Sequence, residues 1–108
     1  KISVEKHDNH CILRVTDRLT IESDVRDLVA AVKGILREGC SNIVFKFTDD
    51  SYLCTRSLSA LLHSSKLASR NDGSVSILKA SEDIIETLET TGIDSIVRVF
   101  SSEESIAD

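Results

Sequence analysis

The spacing of apolar residues changes several times along this chain, and each change predicts an element. ISVEKH (residues 2–7) and HCILRV (residues 10–15) are short β-rich runs, joined by Asp8-Asn9, a pair that tolerates hairpin-turn dihedrals. Apolar positions then take up helical spacing: Ile21, Val25, Leu28, Val29, Val32, Ile35 and Leu36 share one face. Ser23 suits the N-cap, and Gly39 suits the left-handed position past the end, which predicts a helix over residues 23–38. IVFKF (residues 43–47) is apolar except for Lys46, the pattern of an inner strand covered on both faces.

In the second half, Leu58, Leu61, Leu62 and Leu67 trace a helix over residues 55–70, capped by Thr55 and stopped by Asn71-Asp72-Gly73. SVSILK (residues 74–79) is a strand. Ser81 caps a third helix over residues 81–91, with Ile84, Ile85 and Leu88 on its apolar face and Gly92 at its end. IVRVF (residues 96–100) is a last strand. Ser101 and Glu104 have the spacing of a capping box that starts a terminal helix, to which Ile106 and Ala107 lend an apolar face. The order β-β-α-β-α-β-α-β-α predicts an α/β fold, with a mixed, mostly parallel sheet of four or five strands and helices packed on it. The predicted core comprises Ile12, Leu13, Val25, Leu28, Val29, Val32, Ile43, Val44, Phe45, Leu58, Leu61, Leu62, Val75, Ile77, Ile85, Leu88, Val97 and Val99.

A length of 108 residues suits one domain, spanning residues 1–108. The 13 basic and 18 acidic residues leave a net charge of −5, which disfavours a nucleic-acid surface. No apolar run approaches the roughly 18 residues of a membrane span, and no signal-peptide pattern opens the chain. Cys11, Cys40 and Cys54 are odd in number and widely spaced, so the expectation is a reducing, cytoplasmic setting rather than a disulfide framework.

Little in the chain points to catalysis. His7, His10 and Cys11 offer ligand-type side chains, but strand alternation and the predicted turn separate them, so no metal site is expected. His63 lies one residue past the Leu61-Leu62 pair, on the predicted helix and near solvent. Cys54 sits at a helix start, where its pKa can fall, yet no base accompanies it. No Ser-His-Asp order and no glycine-rich phosphate loop occur, so neither an enzyme nor a cofactor is expected. A receiver domain, suggested by Asp49 after a central strand, lacks its acidic pair after the first strand.

One stretch breaks a helix rule. In DDSYLCTRSLSALL (residues 49–62) Arg56 stands in the first turn, where positive charge opposes the helix dipole. Asp49 and Asp50 lie just upstream and are expected to offset it.

The element order, the passage IVFKFTDDSYLCTRSLSALL, and the second half from RNDGSVSILK to the Thr-Gly-Ile turn and the final strand resemble the STAS domain family (sulphate transporter and anti-sigma factor antagonist). The less specific stretches REGCSNIVF and TDRLT fit as well. In antagonists of this family a strand leads into a loop ending Asp-Ser-Ser-Gly-Leu, and a hydroxyl there is phosphorylated by an anti-sigma serine kinase. Matched to that motif, Cys54 replaces the Asp, Thr55 the first Ser, Arg56 the phosphoacceptor and Ser57 the Gly. Lys46 replaces a strand Asp, and Asp17 stands where Gly often lies.

The resemblance implies a non-catalytic interaction module of a bacterial partner-switching system. Its partner would be an anti-sigma factor or related serine kinase, met by Asp49, Asp50, Cys54, Thr55, Arg56 and Ser57. Thr55 and Ser57 remain as candidate phosphoacceptors. The family's other uses, an accessory domain of a membrane transporter or a small-ligand sensor, are the alternatives.

Overall fold

A computed structural model describes residues 2–106. Strand β1 (Ile2–Lys6) pairs antiparallel with β2 (Cys11–Val15), and β2 is followed by helix α1 (Arg26–Arg37). Then come β3 (Asn42–Lys46), α2 (Thr55–Ser69), β4 (Ser74–Leu78), α3 (Glu82–Thr91) and β5 (Arg98–Phe100), with 3-10 turns at Ile93–Ser95 and Glu103–Ser105. The five strands lie in the order β1-β2-β3-β4-β5, parallel from β2 onward. The expected mixed, mostly parallel sheet is present.

Alternation along the strands decides where the core lies. Leu13, Phe45 and Ile77 are register neighbours, each at most 1% exposed, and they pack with Leu28, Leu61 and Leu88 from the three helices. Burying each such side chain contributes about 1.5–3 kcal/mol, which makes this face the main source of stability. The opposite face holds a smaller cluster, Ile12, Val44 and Leu78, covered by Ile106 and partly by Phe100. Arg14, on the same strand parity as Ile12, bonds Glu5 at 3.0 Å and Glu103 at 2.7 Å. Thus Ile43, Val44 and Phe45 of β3 are covered on both faces, and Lys46 lies past them at the strand end, where its ammonium donates to the Phe47 carbonyl at 2.7 Å.

Several expected boundaries move, each for a local reason. The hairpin loop takes in His7 and His10 as well as Asp8-Asn9, closed by the His7 N–H on the His10 carbonyl. Helix α1 begins at Arg26, not at residue 23, because Ser23 is engaged elsewhere: its hydroxyl accepts from the Thr20 N–H at 2.9 Å and stabilises a loop turn. Asp24 takes over at the helix start, accepting from the Arg26 N–H at 3.0 Å. Ile21, expected on the helix face, is left in that loop and 64% exposed. At the other end, Gly39 (φ +94°) donates to the Leu36 carbonyl and Cys40 to that of Ile35, a Schellman closure.

Helix α2 opens at Thr55 as its first residue, so the N-cap is Cys54 rather than Thr55. Helix α3 follows the expectation, with the Ser81 hydroxyl accepting from the Ile84 N–H and Gly92 left-handed at the end. The last strand is shorter than expected. The Ile93–Ser95 turn spends Ile93 on the core and leaves Ile96 exposed, and Val99, expected in the core, is exposed on the sheet edge. Val29, Leu58, Leu62 and Ile85 are half-buried rather than central. The terminal helix is one 3-10 turn preceded by Ser102, with no capping box from Ser101. Three residues are too few to nucleate an α-helix, and burial of Ile106 holds the segment instead. Ala107 lies outside the described residues.

Gly73 marks a close approach of two backbones. It closes α2 by donating to the Ala68 carbonyl, while Ser74 donates to that of Ser41, and a Cβ on Gly73 would overlap the Ser41 carbonyl. Gly73→Ala is expected to destabilise the protein by about 1–3 kcal/mol through this backbone clash. Urea unfolding should show the midpoint falling with an unchanged slope.

Candidate functional site

Because β2 and β3 are parallel neighbours, the loops that follow them, residues 16–25 and 47–54, emerge at the same end of the sheet. The two loops are stitched together by backbone. Leu19 donates its N–H to the Ser51 hydroxyl at 2.8 Å, and Tyr52 returns an N–H to the Leu19 carbonyl at 3.0 Å. Thr48 and Ser51 hydroxyls bond at 2.6 Å, and Leu19, Ser51 and Leu53 are buried. Ile21 reaches the same junction, its N–H directed at the Tyr52 hydroxyl at 3.4 Å, and both side chains face solvent. Neither Ile21 nor Tyr52 was legible as a site residue. Ile21 matched the helical period of α1, and only the long-range bonds from Leu19 to Ser51 and Tyr52 take it out of that helix.

The stitched loop delivers the chain into α2 in a defined rotation. Cys54 is extended (φ −102°, ψ 178°), and its N–H donates to the Ser57 hydroxyl at 2.8 Å. Ser57 Oγ in turn lies 3.0 Å from the Cys54 carbonyl, to which it donates. This reciprocal cap occupies Ser57 fully, and the residue is 1% exposed. Thr55 and Arg56, the first and second helical residues, are turned outward and exposed. Of the two hydroxyls named from the sequence, one is open to a partner and the other is sealed beneath the helix.

The charges pair differently from the sequence expectation. Asp49 lies 3.9 Å from the Lys46 ammonium, and Asp50 lies 3.9 Å from Arg18 while accepting from the Thr48 hydroxyl at 2.8 Å. Among the described residues Arg56 forms no ion pair, so Asp49 and Asp50 do not neutralise it. The carboxylate that feels its field is Asp24, across the gap to α1. Asp24 is held down to about 2, first by its hydrogen bonds from the Arg26 side chain and N–H, and last by the charge on Arg56. This surface therefore carries Thr55, an exposed guanidinium with no ion pair among the described residues, and two apolar side chains, with Asp49 and Asp50 as an acidic flank.

The thiols divide sharply. Cys54 is lowered from the ordinary thiol value, chiefly because the Ser57 N–H points at its sulfur, helped by the Ser57 hydroxyl and Arg56 N–H and opposed by burial. Cys11 is raised to about 11, first by burial and then by the neighbouring Cys40 thiol. His7 and His10 stack their rings at 4.6 Å, and Cys11 beside them is only 1% exposed. Among the described residues no group of three His, Cys, Asp or Glu side chains is arranged to hold a metal ion, and no helix is long and apolar enough to cross a membrane.

The sequence matches the profile of the STAS domain over residues 1–106. Among solved structures, TM1081 of Thermotoga maritima is similar in two determinations. Its NMR structure superposes with a TM-score of 0.78 at 21% identity, covering 94% of this chain and 81% of that one. Its crystal structure, named for a candidate role as anti-sigma factor antagonist, gives 0.76 at 20% identity over 95% and 88%. The Bacillus cell fate determinant SpoIIAA, solved in its phosphorylated form, gives 0.71 at 15% identity over 96% and 95%. No curated protein matches the chain.

Alkylation should separate the thiols. A folded-state value below the ordinary one, about 8.5, means that the Cys54 thiolate appears at lower pH. Mass-resolved iodoacetamide labelling of the native protein is expected to modify Cys54 first, with its rate midpoint below that of the same thiol in the urea-unfolded chain, and Cys11 last. Ser57→Ala should move the Cys54 midpoint upward by removing the hydroxyl donor.

Proposed function

The chain belongs to the STAS domain family, and on that premise we propose that it is a non-catalytic interaction module of a partner-switching system. In this reading it docks an anti-sigma factor or related serine kinase through the start of α2, in the cytoplasm, and contributes no chemistry of its own. The observation that carries the reading is Arg56: an exposed guanidinium without an ion-pair partner among the described residues, at the position that the family motif gives to the switchable hydroxyl. Arginine cannot accept a phosphoryl group and stays charged at any physiological pH. Keeping it in the first turn costs about 0.3–1 kcal/mol against the helix dipole, a cost that a partner's carboxylate offsets.

Phosphorylation works by adding about −1.5 to −2 charge to such a surface; here the surface carries a fixed +1 instead. Binding is then constitutive, and the module acts as a permanently engaged form. Ser57 is a poor alternative acceptor, since its hydroxyl is consumed by the cap and shielded from solvent. Thr55 is the hydroxyl through which a displaced switch would have to run. A phosphate there would sit at the N-terminus of α2, where the helix dipole favours negative charge.

Incubation with the cognate kinase and ATP, followed by mass spectrometry, tests the reading. The expected result is a stable complex, unaffected by ATP, with no stoichiometric phosphate on Thr55 or Ser57. Phosphate on Thr55 that releases the partner would show that the switch has moved by one residue. Arg56→Glu should weaken binding more than Arg56→Ala, because it adds repulsion to lost attraction. Equal affinities for all three forms would return Arg56 to an ordinary solvated charge.

A further inference from the structure

Helices α1 and α2 lie side by side, and the furrow between them runs away from Arg56 along the surface. Its first stretch, about 510 Å³, has Val25, Val29 and Ala60 among its lining, with Lys33, Arg56 and His63 around them. The next stretch, about 380 Å³, shares Lys33 and adds Leu36, Arg37 and Leu67. On each helix these residues recur at intervals of three or four, so each helix turns one mixed apolar and basic stripe toward the furrow.

The charge pattern is one-sided. Among the described residues no Asp or Glu lines either stretch, although the chain holds 18 acidic residues against 13 basic. Arg26 also borders the furrow but is answered by Asp24 at 2.8 Å. Lys33, Arg37 and Arg56 form no ion pair among the described residues. An apolar floor with unpaired cations is complementary to one kind of occupant, a segment with aliphatic side chains on one side and carboxylates beside them.

Building on the interaction-module reading, we propose that the α1–α2 furrow docks an amphipathic helix of the partner, whose apolar ridge is flanked by Asp or Glu. The ridge fills the floor over Val29 and Ala60, and the carboxylates meet Arg56 at one end and Lys33 and Arg37 further along. The 12 residues of α1 give a track of about 18 Å, enough for roughly three turns of such a helix. A nucleic acid would find the cations but not use the apolar floor, and the net charge of −5 would repel it.

The test uses the whole chain, labelled with nitrogen-15, and three synthetic peptides of about four helical turns. One carries a Leu ridge flanked by Glu, the second has Lys for each Glu, and the third has Gln for each Leu. The expected result is that only the first moves the amide signals of Val29, Lys33, Ala60 and His63, and that Lys33→Glu weakens it about tenfold. No shift with the Leu–Glu peptide, shifts elsewhere, or equal binding of either control would overturn the furrow site; binding of the Gln control would mark a simple polyanion surface. The kinase-type partner separates the two proposals. Its loss with Arg56→Glu but not Lys33→Glu or Arg37→Glu refutes the furrow and leaves the helix-start reading standing. Its loss with Lys33→Glu or Arg37→Glu but not with Arg56→Glu, with the Leu–Glu peptide still bound by the unaltered chain, does the reverse.

Discussion

The packing of three helices onto one face of the sheet governs nearly everything else in this molecule. Strands β2 to β5 advance in one direction without a reversal, so crossovers of one hand carry α1, α2 and α3 to the same side. Leu13, Phe45 and Ile77 must then be roofed by Leu28, Leu61 and Leu88 together. That shared core sets α1 beside α2, brings the loops after β2 and β3 to one end, and leaves the other face to a few side chains and the Ile106 tuck. The helix-start surface and the furrow are two consequences of the same constraint.

At the helix start, a second and smaller constraint sorts neighbouring residues into opposite fates. The bond between the Cys54 backbone and Ser57 hydroxyl fixes the rotation of the first turn. Residues one and two of α2 then point outward and residue three points in, as helix geometry requires. Thr55 and Arg56 become surface, and Ser57 becomes structure. The same N–H groups that complete the turn also favour the Cys54 thiolate, so the cap shapes the local electrostatics as well as the backbone. A positive side chain is tolerated there because the nearby loops are held by hydrogen bonds of their own and by the buried Leu19, Ser51 and Leu53.

The order and type of the main elements, the sheet class and most of the central core were legible in the sequence, because alternation and helical spacing are local signals that burial then reinforces. Leu13, Phe45, Ile77 and Leu88 could be named as core from their neighbours alone. Thr55, Arg56 and Ser57 could be placed at a helix start by the same means, and their match to a family motif gave them a candidate role. What spacing could not supply was which way each would face. Thr55 as cap and Ser57 as accessible hydroxyl were equally consistent with the pattern until the Cys54–Ser57 bond exchanged them.

Tertiary structure alone decided the rest, and for one physical reason: the deciding contacts join residues far apart in the chain. Ile21 fits the apolar period of α1, yet the bonds from Leu19 to Ser51 and Tyr52 pull it into a loop. Val99 has the alternation of a core strand, yet β5 is an edge, and among the described residues no further strand lies beside it. Asp50 is close to Arg56 in sequence but pairs with the distant Arg18, while Asp24, over thirty residues upstream, feels the charge of Arg56. The furrow is invisible in either helix separately, since its cations and apolar floor become one surface only when the shared core sets α1 against α2.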